Sequence, residues 1–269
     1  MEDITSYYNE KSKLYDDIFE TLGYKVYDAI TWKYLEPYIP TDPDAVVLDA
    51  GGGTGRWAVR IAEKGCKVVL VDASEEMLRL AAKRAKQSGL VDRITLKKED
   101  LRRTNYREGT FDLAFCEHTL FLFKEPDLPL KELYRVLKKE AHVVISAQNL
   151  YAQCLASLSD NPDAANVTDV LDLLKCKRYA TMVNEGKVAI YTWTPDEFKQ
   201  MLERNGFHVE KIIGKSIAMP LRISKDVFMK RKYPKNLFDK ILEFELAMCE
   251  RPEALALAGH LQAIARKRS

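Results

Sequence analysis

Histidine is scarce in this chain. His118, His142, His208 and His260 are the whole complement, and none stands at a spacing such as H-x-x-x-H that would set two metal ligands on one helical face. Cysteine is little used as well. Cys66, Cys116, Cys154, Cys176 and Cys249 are scattered, odd in number and form no C-x-x-C pair. Neither a zinc site nor a disulfide framework is expected, and the setting reads as reducing and cytoplasmic. No apolar run is long enough to cross a membrane. The start, Met1-Glu2-Asp3-Ile4, is acidic and polar, unlike a secretory signal. Charge of one sign is not in excess: 42 basic residues face 40 acidic ones, a net +2. That gives no global pull toward nucleic acid or anionic membrane. Internal repeats and low-complexity segments are also absent. What remains is 269 residues, 46% hydrophobic and 30% charged, enough for one sizeable core with room for an insertion or a small second lobe.

Residues 1–38 are rich in tyrosine, and Tyr15, Ile18, Phe19 and Leu22 have helical spacing. Two short helices ending near Pro37 and Pro40 are expected, forming an N-terminal arm. From residue 41 strands and helices alternate. Strands are predicted at 45–48, 67–71, 93–97, 111–116 and 142–147. Helices are predicted at 56–64, after a Ser74 cap followed by Glu75 and Glu76, and around 130–138. This rhythm implies a mostly parallel sheet covered on both faces. It breaks over 150–192 and resumes at Thr194-Pro195-Asp196-Glu197, a capping box with proline at the first helical position. A sixth strand over 207–213, a second irregular stretch over 218–258 containing a helix at 237–249, and a last strand at 260–266 complete the pattern. The organisation read from this is one Rossmann-like domain, 41–149 with 193–269, carrying insertions at 150–192 and 218–258.

The first strand ends in Asp49, and glycines follow at alternate positions, Gly51, Gly53 and Gly55. Glycines there let backbone approach a ligand closely at a helix N-terminus. A dinucleotide site wants G-x-G-x-x-G/A, but Arg56 stands where the third glycine belongs, and Asp49 would repel a pyrophosphate. A cofactor with an ammonium and a sulfonium suits Asp49, while the loop N–H groups can hold its carboxylate. That favours S-adenosylmethionine. Asp72, followed by Ala73, ends the second strand, where a carboxylate accepts from ribose hydroxyls; it can equally begin the turn before Ser74. Asp100-Leu101 ends the third, a pairing suited to an adenine, with the amino group on the acid and the ring on the aliphatic chain, or simply a surface turn.

These residues resemble the class I S-adenosylmethionine-dependent methyltransferases, especially the small-molecule branch with the ubiquinone and menaquinone biosynthesis enzymes. The likeness rests on the loop from Val47 to Ala58, on Asp72 to Leu78, on Glu99-Asp100-Leu101, on Phe111 to Phe115 followed by Glu132 to Leu137, and on Thr194 to Phe198 through Asn205-Gly206-Phe207. It covers 45–149 and 193–213 and is silent on the two insertions. The resemblance implies a seven-stranded sheet whose last strand is antiparallel and inserted beside the fifth. It also implies in-line methyl transfer, leaving S-adenosylhomocysteine, with proximity and alignment as the main task and no metal required.

The acceptor side is less explicit. Glu117 and His118 follow the fourth strand at its carboxyl end, where open α/β sheets bind ligands. Either could take an acceptor proton or contact the cofactor, Glu117 in particular; Cys116 reads as apolar filler. Where the family often carries a histidine or polar pair, this chain has Phe121-Leu122-Phe123, so the base stays unassigned. Tyr15, with Tyr7 and Tyr8, either folds over the methionine end of the cofactor or packs on the sheet. The insertions are expected to form an acceptor lid. Lys225, Lys230, Arg231, Lys232 and Lys235 read as a solvated face rather than an RNA site, and His208 and His260 as structural. The expected acceptor is a small molecule, with nucleic acid unlikely. Nothing in the pattern sets the oligomeric state.

Overall fold

The structure is a computed structural model of the chain and describes residues 17–160, 164–183, 186–218 and 225–268. Five strands, Val46–Ala50 (β1), Lys67–Asp72 (β2), Ile94–Lys98 (β3), Phe111–Cys116 (β4) and Leu137–Asn149 (β5), pair in parallel in the order β3-β2-β1-β4-β5. Alternate side chains of these strands supply two cores. Leu48, Ala50, Val71, Ala114, Cys116, Val143 and Ile145 join one, with Leu130 and Leu133 of α4 (Asp127–Val136) and Phe198, Met201 and Leu202 of α7 (Pro195–Arg204). Val47, Val68, Leu70, Leu113, Phe115 and Val144 join the other, with Trp57, Ala58 and Ile61 of α2 (Arg56–Ala62) and Ala81 and Ala85 of α3 (Glu75–Gln87). Burial on both faces is why the inner strands read as continuous apolar runs.

Beyond β5 the sheet reverses. His260–Lys267 (β9) lies antiparallel between β5 and Phe207–Lys215 (β8), with His142 opposite Arg266 and Gln148 opposite His260. The expected antiparallel last strand beside the fifth is therefore present. The Thr194–Glu197 capping box starts α7 as the sequence predicts.

The 150–192 stretch departs from the expectation of irregular chain. It holds α5 (Leu150–Asp160), α6 (Ala164–Cys176) and an antiparallel hairpin of Arg178–Val183 (β6) and Gly186–Trp193 (β7). The end of β7 pairs in parallel with Gln148 and Asn149 of β5. β9 holds the other edge of β5 there, so β7 takes the edge that β4 leaves beyond Cys116, and the sheet reaches nine strands. Val188 and Ile190 pack with Phe121, and Leu122 lies against them. Phe121 and Leu122 after β4 are thus the seat of this hairpin, a contact no local pattern could announce, while Phe123 packs on the first core.

The 218–258 stretch is also built into the body. It supplies α8 (Lys225–Phe228), α9 (Lys235–Met248) and α10 (Pro252–Leu255). Leu22, Val26 and Ile30 recur every four residues on α1 (Leu22–Leu35), and with Ile213, Ile217, Phe228, Ile241 and Cys249 they make a third core. Glu245 of α9 is buried and accepts from the N–H groups of Ile217 and Ala218 at 3.0 and 2.8 Å, closing the end of β8. No described helix is long and apolar enough to cross a membrane.

Candidate active site

β1 carries Asp49 to its carboxyl end, where the residue is 1% exposed. The chain then turns back on itself. The Gly51 N–H donates to the Val71 carbonyl at 2.7 Å and the Gly53 N–H to Asp72 Oδ2 at 3.0 Å. Gly51 has φ +73°, and a Cβ there would meet Thr119 Oγ1 at 2.4 Å, so both conformation and space demand glycine. Gly53, at φ +53°, differs: a Cβ would meet nothing within 4 Å, so its outer side faces open space. Gly55, at φ +77°, precedes α2 as its cap.

Arg56, the residue that breaks the dinucleotide fingerprint, grips Asp28 of α1 through Nη1 and Nη2 at 2.7 and 3.2 Å. It also lies over the Phe19 ring at 3.6 Å. The loop is thereby tied to the N-terminal helix. Its inner recess is small, about 40 Å³, and is lined by Asp49, Gly51, Gly53, Glu117 and His118 among others. That is room for a charged end group, not a nucleoside.

Asp49 Oδ2 has no hydrogen-bond partner. Burial pushes this carboxyl up to about 7, with the charges of Asp72 and Glu117 acting in the same sense. A buried oxygen left unpaired costs roughly 1–3 kcal/mol. The recess therefore favours a cationic hydrogen-bond donor.

Asp72 serves the loop in two ways. Besides Gly53 it accepts from the Ser74 N–H at 2.8 Å, so it begins the turn before α3 while facing the loop; Ala73 lies within that turn. Burial raises its carboxyl above the usual range. Asp100 departs from the expected free adenine acceptor. Arg102 Nε and Nη2 donate to its carboxylate at 2.9 and 2.6 Å, because a turn brings the arginine back over the acid. Partial burial pushes Asp100 up, but the Arg102 hydrogen bonds outweigh it and hold the carboxyl below the usual range. Leu101 also departs from the expected platform: it turns inward, 6% exposed, into the core with Val71 and Phe111. Tyr15, Tyr7 and Tyr8 lie outside the described residues.

Glu117 and His118 diverge at the end of β4. Glu117 is buried, and Lys215 Nζ donates to its two oxygens at 3.1 and 3.0 Å. The Tyr27 hydroxyl donates to the same carboxylate. Burial and then Glu117 raise the Tyr27 phenol well above its ordinary value, so it stays a donor. With both oxygens engaged, the geometry makes Glu117 a structural anion more than a free base. His118 takes a left-handed backbone, φ +54°, and its ring stacks on Tyr27 with centroids 5.0 Å apart. Burial, then Lys215 and Arg56, pull its imidazole down to about 3. Cys116 is packed in the core and burial pushes its thiol up, consistent with filler.

Three partners were not legible as such. Lys215 is a lysine closing an ordinary strand, and Tyr27 is one of many tyrosines. His260, read as structural, heads β9 with its ring 5.0 Å from that of His118. It lines a separate cavity of about 250 Å³ bounded by Tyr24 and Tyr27 of α1, Gln148 of β5, Gln153 of α5 and Ser216. The available signal was His260-x-Gln262: two polar residues at alternate positions on a strand that is otherwise buried. Among the described residues no group of histidine, cysteine, aspartate or glutamate is arranged to hold a metal ion.

A Rossmann-like sheet with an acid and a glycine loop at the end of β1 and a second acid at the end of β2 defines a nucleoside-cofactor enzyme of the methyltransferase kind. Residues 47–140 match the family described as "Methyltransferase domain". The chain is 26% identical to the tRNA 5-carboxymethoxyuridine methyltransferase of Escherichia coli strain K12, over 94% of this chain and 95% of that protein. It is 27% identical to a demethylmenaquinone methyltransferase of Bacteroides fragilis strain YCH46, over 54% and 59%. Its fold matches the crystal structure of a putative S-adenosylmethionine dependent methyltransferase from Listeria monocytogenes with a TM-score of 0.61 at 18% identity, covering 90% of this chain and 100% of that one. Residues 47–140 thus form a methyltransferase domain, and the chain as a whole is similar to S-adenosylmethionine-dependent methyltransferases.

Proposed function

We propose that this enzyme methylates a small-molecule acceptor bound in the cavity between α1, α5 and the start of β9. The observation that carries the reading is the cavity itself. Among the described residues its lining is aromatic and amide-bearing with no charged side chain, and Tyr27 and His260 on its wall contact His118, which lines the glycine-loop recess. Bound S-adenosylmethionine supplies a methyl carbon on a cationic sulfur. Asp49 Oδ2 would pair with its ammonium, and the N–H groups of the Gly51–Gly55 loop would hold its carboxylate. Asp72 with Ala73 would receive the ribose, and Asp100, sharing its carboxylate with Arg102, would face the adenine. The protein's own contribution is to align the acceptor and keep water out.

Calorimetry with S-adenosylmethionine and S-adenosylhomocysteine tests the cofactor half. Methyl-tritium transfer into the low-molecular-weight fraction of an extract tests the acceptor half. Label confined to macromolecules would overturn the small-molecule assignment.

A second reading, methylation of an RNA base, draws on the whole-length likeness to the Escherichia coli tRNA enzyme. It also draws on the exposed Lys230, Arg231 and Lys232. The Lys230 carbonyl accepts from the Leu22 N–H at 2.8 Å, beside Gly23 and Tyr24 at the cavity wall. Against it, Arg231 is paired with Asp17 and Lys235 with Asp239. Reversing the charges at Lys230 and Lys232 should abolish labelling of tRNA if this second reading holds and leave it unchanged if it does not.

A further inference from the structure

Two histidines stand on the boundary between the recess and the cavity. His118 lines the first and His260 the second, their rings edge to face with centroids 5.0 Å apart. Nε2 of His118 and both ring nitrogens of His260 are shielded from solvent and have no hydrogen-bond partner. The nearest anion, Glu117 Oε1, is 3.7 Å from His118 Nε2, too far for a hydrogen bond, and is already held by Lys215 and Tyr27. Gln262, two residues along β9 and so on the same face as His260, likewise has both side-chain polar atoms unpaired. Buried polar groups normally find partners. His260 lines the cavity and His118 the recess, and their unpaired nitrogens point to a ligand that completes them.

Charge selects the kind of ligand. Among the described residues the cavity lining has two tyrosines, two glutamines, a serine and His260, but no acid or base with a full charge. The ionic groups behind the pair are Lys215, Arg56 and Glu117; burial first holds both imidazoles below their ordinary value, with Lys215 and then Arg56 adding to the effect on His118, and His118 and then Lys215 to that on His260. An anionic acceptor would meet no cation among the described lining residues. A flat, uncharged one can lie against Tyr24 and Tyr27 and fix its polar edge on Gln148, Gln153 and Ser216.

We propose that the cavity receives an uncharged aromatic or enolic acceptor bearing a protic O–H or N–H, and that His260 takes that proton while His118 positions the His260 ring. This rests on the methyltransferase reading above. In the step, the acceptor oxygen or nitrogen forms a bond to the methyl carbon. The carbon–sulfur bond breaks with its electron pair kept by sulfur, and the acceptor proton passes to a His260 ring nitrogen. One buried cation replaces another, so the site takes up no net charge.

The test uses the full chain saturated with S-adenosylhomocysteine, ¹⁵N-labelled at histidine, with phenol as protic probe and anisole as its aprotic counterpart. Four histidines make the spectrum tractable, and His260→Gln assigns the signal. Phenol should shift the His260 ring nitrogens, anisole should shift them far less, and Ala156→Phe, which fills the cavity from α5, should abolish the phenol effect. Unmoved His260 signals with phenol, or equal shifts with anisole, overturn the proposal while leaving the methyltransferase reading intact. If phenol has no effect but bulk tRNA shifts the His260 signals, the cavity serves a nucleobase and the small-molecule proposal falls. Failure of the wild-type chain to bind S-adenosylhomocysteine at all would sink both readings together.

Discussion

Lys215 Nζ lies 3.0 Å from Glu117 Oε2 with the two side chains 0% and 3% exposed, although 98 residues separate them in the chain. The ammonium also donates to Thr31 Oγ1 at 3.0 Å and sits 4.0 Å from the centre of the Tyr27 ring. Burial drives the Lys215 pKa down and Glu117 pulls it back up, leaving it lowered. Such a pair ties β4, β8 and α1 together beneath the site, and its members are worth keeping only together.

Removing one partner should therefore cost more than removing both. Lys215→Met strands a buried carboxylate and should lose about 3–5 kcal/mol of stability. The double variant Lys215→Met with Glu117→Gln should be more stable than Lys215→Met alone. Tyr27→Phe, which removes one hydrogen bond to the same acid, should cost about 1 kcal/mol. Urea unfolding reads all three; a Lys215→Met midpoint equal to wild type contradicts this picture.

Asp49 presents the opposite case, a group whose burial disfavours its charge. Its carboxyl is raised to about 7 from an ordinary value near 3.8. The stability linked to this group is present in full below about pH 4 and is lost as pH rises through 7. Asp49→Asn should therefore stabilise the cofactor-free protein at pH 8, by about 2–4 kcal/mol. The neutral imidazoles of His118 and His260, both held below their ordinary value, act in the opposite sense on acidification. The comparison that isolates Asp49 is thus variant against wild type at a single pH, and a melting temperature that falls in Asp49→Asn at pH 8 would falsify the assignment.

Cofactor binding should carry the same signature. A cationic ammonium on Asp49 requires the ionised acid, so binding near pH 6 should release protons and affinity should weaken as pH falls below 7. Titration calorimetry in two buffers of different ionisation heat measures the proton count directly. Asp49→Asn should bind at least tenfold more weakly at pH 8, a loss of about 1.4 kcal/mol or more, despite its greater stability. No buffer dependence at pH 6 would mean that Asp49 does not meet the ammonium.

The glycines of the loop should separate into two kinds. Gly51→Ala places a Cβ against Thr119 at a left-handed φ and should lower stability by about 2–4 kcal/mol. Gly53→Ala meets nothing and carries only the backbone penalty, about 1–2 kcal/mol. Its effect should fall on S-adenosylhomocysteine affinity instead, since the added methyl projects into the open side of the loop. Equal unfolding midpoints for the two variants would remove the distinction.

What could be read from the chain alone is what short segments decide. The run from Val46 to Ala50, the acid after it and the alternate glycines specify a strand that must turn sharply into a helix, and Thr194 with Glu197 specifies where another helix begins. Strands alternating with helices announced a mostly parallel sheet, and Asp49 with Arg56 was enough to choose between classes of cofactor. The hairpin over Phe121, the turning of Leu101 into the core, the capture of Asp100 by Arg102 and the docking of the second insertion on α1 were beyond that reach, although its main helix was foreseen within two residues. So were Lys215 on Glu117 and His260 on His118, which meet across 98 and 142 positions. A lysine or histidine in a strand looks the same in sequence whether it faces water or a buried anion. Only the packing of β8, β9 and α1 around the end of β4 removes water from those groups, and with water gone their charges and unpaired nitrogens become the chemistry of the site.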